Sequence, residues 1–415
     1  MMLRTAGVWI LCGAFVFSLA KPISAADDWP QWRGPGRDGR IALQAAPSEW
    51  PAKLTHKWKI KVGEGHASPI VADGKVYLIS RQEDREIVRC VNLADGQPIW
   101  EKGYPAPYTP HPPAVPHGKG PKSTPIVADG RLYTYGISGI LSCFDAKSGQ
   151  PKWRKEFSKQ FQKTSPLCGT TMSPLVHRGM VIIHVGGHDK GELRAFDAVT
   201  GDQKWSWGSD GPGYASPILL KLGGTEQIVT LTQIAVIGVS ASTGELLWRI
   251  PYETEYIMNI VTPVVYKTTL IVSGYNRGTT AFRISKQGAK WVPTQIWHQD
   301  DLPQYMSSPV ISGDLMFGMS QRRKGQLFCA DPANGNLNWT NNGRMGDNAA
   351  FIVAGNAILM LTTNADLYVF NNEKKALKIT AQYKVADSAT WAHPVLVGKS
   401  LLTKDVETLS CWHIQ

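Results

Sequence analysis

Proton-transfer, metal or ligand chemistry in this chain has to come from a small set of residues. His188 and Asp189 put an imidazole next to a carboxylate, the beginning of an acid/base pair or a metal site. Their setting, Gly186-Gly187-His188-Asp189-Lys190-Gly191, is equally good turn chemistry, because Gly and Asp tolerate unusual backbone angles, and a turn is the reading taken. His66 and His393 are two further imidazoles of interest, but a histidine pair without converging carboxylates does not make a metal site, and none is expected. Lys122, Arg277, Arg322 and Arg323 supply cationic heads; Tyr214, Tyr305 and Trp391 supply rings; Asn259 and Asn348 supply amides. Such a mixture suits an anionic small molecule, a sugar or a peptide segment. There is no Cys-x-x-Cys-His, so no haem-type electron acceptor is built in.

The elements that position these residues follow from a repeat. A small residue and a proline open an apolar run at Ser68-Pro69, Thr124-Pro125, Ser173-Pro174, Ser216-Pro217, Thr262-Pro263 and Ser308-Pro309. Weaker copies stand at Ala350-Phe351 and His393-Pro394, making eight. Each opening leads to a tight turn such as Asp73-Gly74 or Asp129-Gly130, a strong hairpin signal between apolar runs. A third strand follows, then a Gly turn, then a fourth strand ending in Trp100, Trp153, Trp205, Trp248 or Trp339. The fifth copy offers Trp291 or Trp297, and the seventh has lost the feature.

Four antiparallel strands in roughly 45 residues cannot bury both faces alone, whereas radial stacking covers them. The expected fold is all-β, an eight-bladed propeller of four-stranded antiparallel blades. The last copy stops after three strands, at Leu409–His413, and its missing fourth strand is available at His56–Val62, with Trp58 in the closing position. The two ends of the chain should therefore complete one blade and remove its open edge. His66, Lys122, Tyr214, Asn259, Tyr305, Asn348, Trp391 and His393 then fall where inner strands begin, around one mouth of the channel. His188, Arg277, Arg322 and Arg323 fall in the loops between second and third strands, at the same end. The proline-rich stretch 103–122 should lie over this mouth as a stiff flap. Cys90, Cys143, Cys329 and Cys411 share one third-strand position, too far apart for the ~7 Å Cα limit of a disulfide, and read as buried fillers; Cys168 is left over.

Residues 1–26 read as a signal peptide, with Arg4, an apolar stretch from Val8 to Ala20 and small residues at Ser24-Ala25-Ala26. Residues 27–55, rich in Trp, Pro and Gly, should strap across the ring with Trp29 and Trp32 as anchors; residues 56–415 are the propeller. No later run is long enough to cross a membrane as a helix, and a periplasmic or otherwise extracytoplasmic monomer is expected. The net charge of +11 is scattered without a basic block, which suits solubility and a mild attraction to anionic surfaces, not nucleic acid.

The phrases Asp95-Gly96 to Trp100, Ser148-Gly149 to Trp153, Thr200-Gly201 to Trp205, Thr243-Gly244 to Trp248 and Asn334-Gly335 to Trp339 resemble the quinoprotein-like, pyrroloquinoline-quinone repeat propeller family. The opening Asp28–Gly39 is similar to the lead-in of exported bacterial propellers of this family with no assigned activity. The family includes quinone-dependent alcohol and sugar dehydrogenases and the non-catalytic propeller of the outer-membrane β-barrel assembly machinery. The chain departs from the dehydrogenases in being shorter and in lacking a Cys-Cys pair, and from the assembly-machinery propeller in lacking an anchoring cysteine. The function expected is a non-catalytic exported scaffold, presenting its mouth face to an envelope protein or a small ligand. The alternatives are a pyrroloquinoline-quinone-dependent oxidoreductase of alcohols or sugars, with Ca²⁺, and a carbohydrate-binding propeller.

Overall fold

Short apolar runs punctuated by left-handed turns can only fold as hairpins, and hairpins fill this molecule. The computed structural model describes residues 28–41, 49–158, 166–187, 190–208 and 210–414. Its strands form eight four-stranded antiparallel sheets, seven of them running in chain order from an inner strand to an outer one. Blade two is representative, with strands Ile126–Ala128, Arg131–Tyr135, Ile140–Asp145 and Pro151–Glu156. Its first turn holds Asp129 and Gly130 at φ of 49° and 71°, the double left-handed geometry that matches strand twist. Blade eight takes Val395–Val397, Ser400–Lys404 and Thr408–His413 from the end of the chain and Thr55–Lys61 from near its start. Trp58 pairs with Cys411 and Lys61 with Thr408, so the ring is closed by the expected strand. Among the described residues no helix is long and apolar enough to cross a membrane.

The repeated tryptophan has a fixed address. Trp100, Trp153 and Trp339 stand opposite Cys90, Cys143 and Cys329; Trp205 and Trp297 stand opposite Ala195 and Ala281; Trp248 stands opposite Gly238. Only a small side chain leaves room for the indole, which is why cysteines recur there as buried free thiols. Blade five therefore uses Trp297, and blade seven puts Ala381 opposite Val369. Most of these indoles reach the next blade: Trp58 donates to the Leu93 carbonyl, Trp100 to Ala146, Trp153 to Ala198 and Trp297 to Pro332. The glycine of each Gly-x-x-x-Trp phrase receives the preceding blade's ring. A Cβ on Gly149 would lie 2.5 Å from Trp100, and one on Gly201 2.8 Å from Trp153.

The small residue before each inner-strand proline is a latch. The Ser68 amide donates to the Thr124 hydroxyl, Thr124 to Ser173, Ser173 to Ser216, and Thr262 to Ser308. The His393 amide donates to the Ser68 hydroxyl and joins blade eight to blade one. The proline that follows has no N–H to leave unpaired on the channel side, which is where an edge strand accepts proline.

Residues 28–41 occupy the channel itself. Trp29 and Val71 of blade one exchange both backbone hydrogen bonds, and the Pro30 carbonyl accepts from Val127 of blade two. Arg37 donates to the Ser173 and Pro174 carbonyls of blade three and to Pro217 of blade four. The Trp32 indole donates to Thr262 of blade five, Arg33 to the Pro309 carbonyl of blade six, and Ile41 to Val353 of blade seven. The rings of Trp29 and Trp32 flank His393 of blade eight at 5.7 and 5.6 Å. The segment is thus an axle that reaches all eight blades at or just before their inner strands. Inner strands have one unpaired edge, and the axle's arginines satisfy carbonyls on it.

Candidate functional site

At the mouth, the flap and the inner-strand starts converge. The flap contains a short 3₁₀ turn over Pro112–His117, and its Pro121 carbonyl accepts from the His66 and Ala67 amides. His66 Nε2 lies 3.1 Å from the His117 carbonyl, which requires the proton on Nε2. The Trp391 ring sits between His66 at 5.9 Å and His117 at 5.7 Å. Burial, then Lys122 and Lys404, pushes the His66 imidazole down to about 3, so it is neutral at physiological pH. Lys122 donates to the Cys168 carbonyl at 3.1 Å, and burial lowers its ammonium to about 8. Lys404 is fully buried, donating to the carbonyls of Gly63, Gly65, Asp405 and Val406. Tyr214 is buried near Cys168, whose thiol burial pushes up, so nothing here activates it as a nucleophile.

The remaining candidates divide. Asn348, Trp391 and His393 line a cavity of about 50 Å³ below the mouth, with Trp32, Arg33 and Met306. His393 Nε2 faces the Phe351 carbonyl at 3.0 Å, and burial with the nearby Arg33 holds the ring down at about 4. His66 and His393 are thus in separate settings, one under the flap and one between the axle's indoles. Asn259 faces no opening: it is fully buried and its amide donates to the carbonyls of Thr232, Gln233 and Tyr252, tying loops together. Tyr305 packs on Tyr275 at 4.9 Å, and Tyr275 on the exposed Tyr256 at 6.2 Å. Arg277 lies over the Tyr252 ring at 4.6 Å, while Arg322 pairs with Asp301 and Arg323 is exposed. His188 and Asp189 lie outside the described residues, as does the leader. Sequence reasoning missed Arg33 and Arg37, although two arginines flanking Gly34-Pro35-Gly36 in a segment unfit for a blade were a usable signal.

A pyrroloquinoline quinone is a rigid tricycle with three carboxylates, and the channel beneath Trp391 does not fit it. The space beneath Trp391 is far below the several hundred cubic ångströms of a typical cofactor pocket, because Trp32 and Arg33 fill the channel. Among the described residues no three His, Cys, Asp or Glu side chains converge to hold a metal ion.

Residues 84–341, well over half the chain, match the family model described as outer membrane protein assembly factor BamB. The chain belongs to the BamB family. Over 88% of its length it superposes on 98% of BamB from Moraxella catarrhalis, with a TM-score of 0.63 and 16% identity. A quinohemoprotein alcohol dehydrogenase from Pseudomonas putida HK5 superposes over 94% of this chain and 80% of its own, with a TM-score of 0.66 and 14% identity. At these identities the likeness is one of fold. In sequence, this BamB-family chain is 28% identical over 162 residues to quinohemoprotein alcohol dehydrogenase ADH-IIG of Pseudomonas putida, covering 37% of this chain and 21% of the enzyme. It is 27% identical over 151 residues to the quinohemoprotein alcohol dehydrogenase of Comamonas testosteroni, covering 34% of this chain and 19% of the enzyme. The chain spans about a fifth of the length of these curated relatives.

Proposed function

We propose that this propeller is a non-catalytic binding scaffold of the cell envelope, taking an extended segment of an envelope protein on its mouth face. The observation that carries the reading is the axle: a channel occupied by the chain's own Trp29, Trp32, Arg33 and Arg37 leaves recognition to the surface around it. That surface offers the Tyr256–Tyr275–Tyr305 stack and the exposed Arg277, Arg323 and Lys324. Aromatic faces with basic heads suit a chain segment carrying acidic side chains. The family's description as an assembly factor supports a protein partner, and the leader read at residues 1–26 supports an extracytoplasmic site. The stretches shared with quinohemoprotein dehydrogenases keep the oxidoreductase as the second reading.

One experiment separates them. A photocrosslinking residue is placed at Tyr256 or Arg323 on the mouth face, or at Ser148 on the opposite rim. Adducts with an envelope protein are expected from the first two positions only. The purified chain, titrated with pyrroloquinoline quinone and Ca²⁺, should neither bind the quinone nor reduce a dye with alcohols. Quinone binding with dye reduction, or equal adducts from both rims, overturns the scaffold.

A further inference from the structure

Arg33 is 1% exposed, and only part of its guanidinium is satisfied. Nη2 donates to the Asp38 and Pro309 carbonyls, whereas Nε and Nη1 are buried without an acceptor. Buried donors on a cation are rarely left so, because nothing in the protein then replaces the water they lost. Arg33 lines the cavity of about 50 Å³ with Ser308, Asn348, Thr363, Thr390 and His393, and the Thr363 hydroxyl is also buried without a partner. The charge is only partly offset as well. Arg37 is buried beside Arg33, the carboxylate acting on Arg33 among the described residues is the exposed Asp38, and His393 is neutral. A water molecule needs about 10–15 Å³ of such space, so the cavity has room for a halide or a carboxylate of three or four heavy atoms.

We propose that this cavity is a binding site for a small monovalent anion, a halide or a short carboxylate, held by Arg33 and the Thr363 hydroxyl. Water could satisfy the donors, but only an anion also offsets the buried charge. The bound anion joins the axle to blade seven through Thr363. The site lies below the mouth, and its existence is independent of what docks above.

The full chain is melted in chloride and in gluconate, which is too large for the cavity, at equal ionic strength. Chloride should raise the melting temperature by about 1–2 °C per tenfold concentration above its dissociation constant, and gluconate should not. Asn348→Asp supplies a fixed anion at the cavity wall while keeping the oxygen that accepts from the Met306 amide, so its melting should no longer respond to chloride. A crystal soaked in bromide should show anomalous density within hydrogen-bond reach of Arg33. Formate that reproduces the rise and displaces bromide identifies a carboxylate site; formate without effect identifies a halide site. Identical melting of the native chain in both salts, a chloride response that survives in Asn348→Asp, or no bromide at Arg33 overturns the proposal.

Discussion

Arg37 shows how much structure one side chain can carry when edge carbonyls have no sheet partner. Its guanidinium serves three carbonyls on two blades and the Gln31 side chain. Arg37→Met removes those donors and leaves buried acceptors behind, so it should cost about 2–4 kcal/mol in chemical denaturation, with Arg37→Lys in between. Buried imidazoles make stability depend on acid. His184 and His393 are held at about 4 by burial, while the unfolded chain titrates near the ordinary 6.5. Above that value the ring is neutral in both states; below it the unfolded chain takes up protons that the native fold excludes. Stability should fall as pH drops from about 6.5 to 4, by on the order of 3 kcal/mol for each ring, and His393→Gln should remove about one proton from the slope. Denaturant midpoints from pH 7 to 4 check both. The residue-level site was only partly legible. Trp391, Asn348 and His393 were placed at the mouth because strand starts can be counted, but Asn259 looks the same in sequence and turned out to brace loops. Nothing local distinguishes an amide that faces solvent from one that faces three carbonyls.

At the scale of the element, the unit is the indole and the glycine that receives it. Gly149 sits at φ 70° under Trp100, whereas Gly130 has nearly the same φ of 71° with open space where a Cβ would go. Gly130→Ala should therefore cost only the left-handed penalty of about 1–2 kcal/mol, and Gly149→Ala that plus about 1–3 kcal/mol of overpacking. Equal losses in parallel denaturant melts would show that the indole yields freely. Trp153→Ala should cost about 3–5 kcal/mol by the same contact. The Gly-x-x-x-Trp phrase was legible because both ends of a blade-to-blade contact recur together. The Ser/Thr-Pro phrase was legible as a strand opening only. Its hydroxyl latch runs between residues 56 positions apart from Ser68 to Thr124 and 49 apart from Thr124 to Ser173, and no local pattern announces such a partner.

For the whole molecule, closure was legible because one copy lacked a strand and another stretch supplied it. The axle was not, because a Pro/Gly-rich segment with no period says only that it is not a blade. A chain from which Thr55–Lys61 is replaced by a flexible Gly/Ser linker keeps the axle, lacks the outer strand of blade eight and exposes the edge at Thr408–His413. It should self-associate, read as loss of the monomer peak in size-exclusion chromatography; a stable monomer would show that the edge is harmless. The pairing of Trp58 with Cys411 also has a temporal side. Two stretches some 350 residues apart must meet before the ring exists, and the axle finds its last partner, His393, only when blade eight has been made. Seven blades can assemble and latch to their neighbours as they emerge, yet the ring stays open until blade eight is made. Folding should be slow, rate-limited by this late encounter, with an arc-shaped intermediate that depends on chaperones to keep its two raw ends apart.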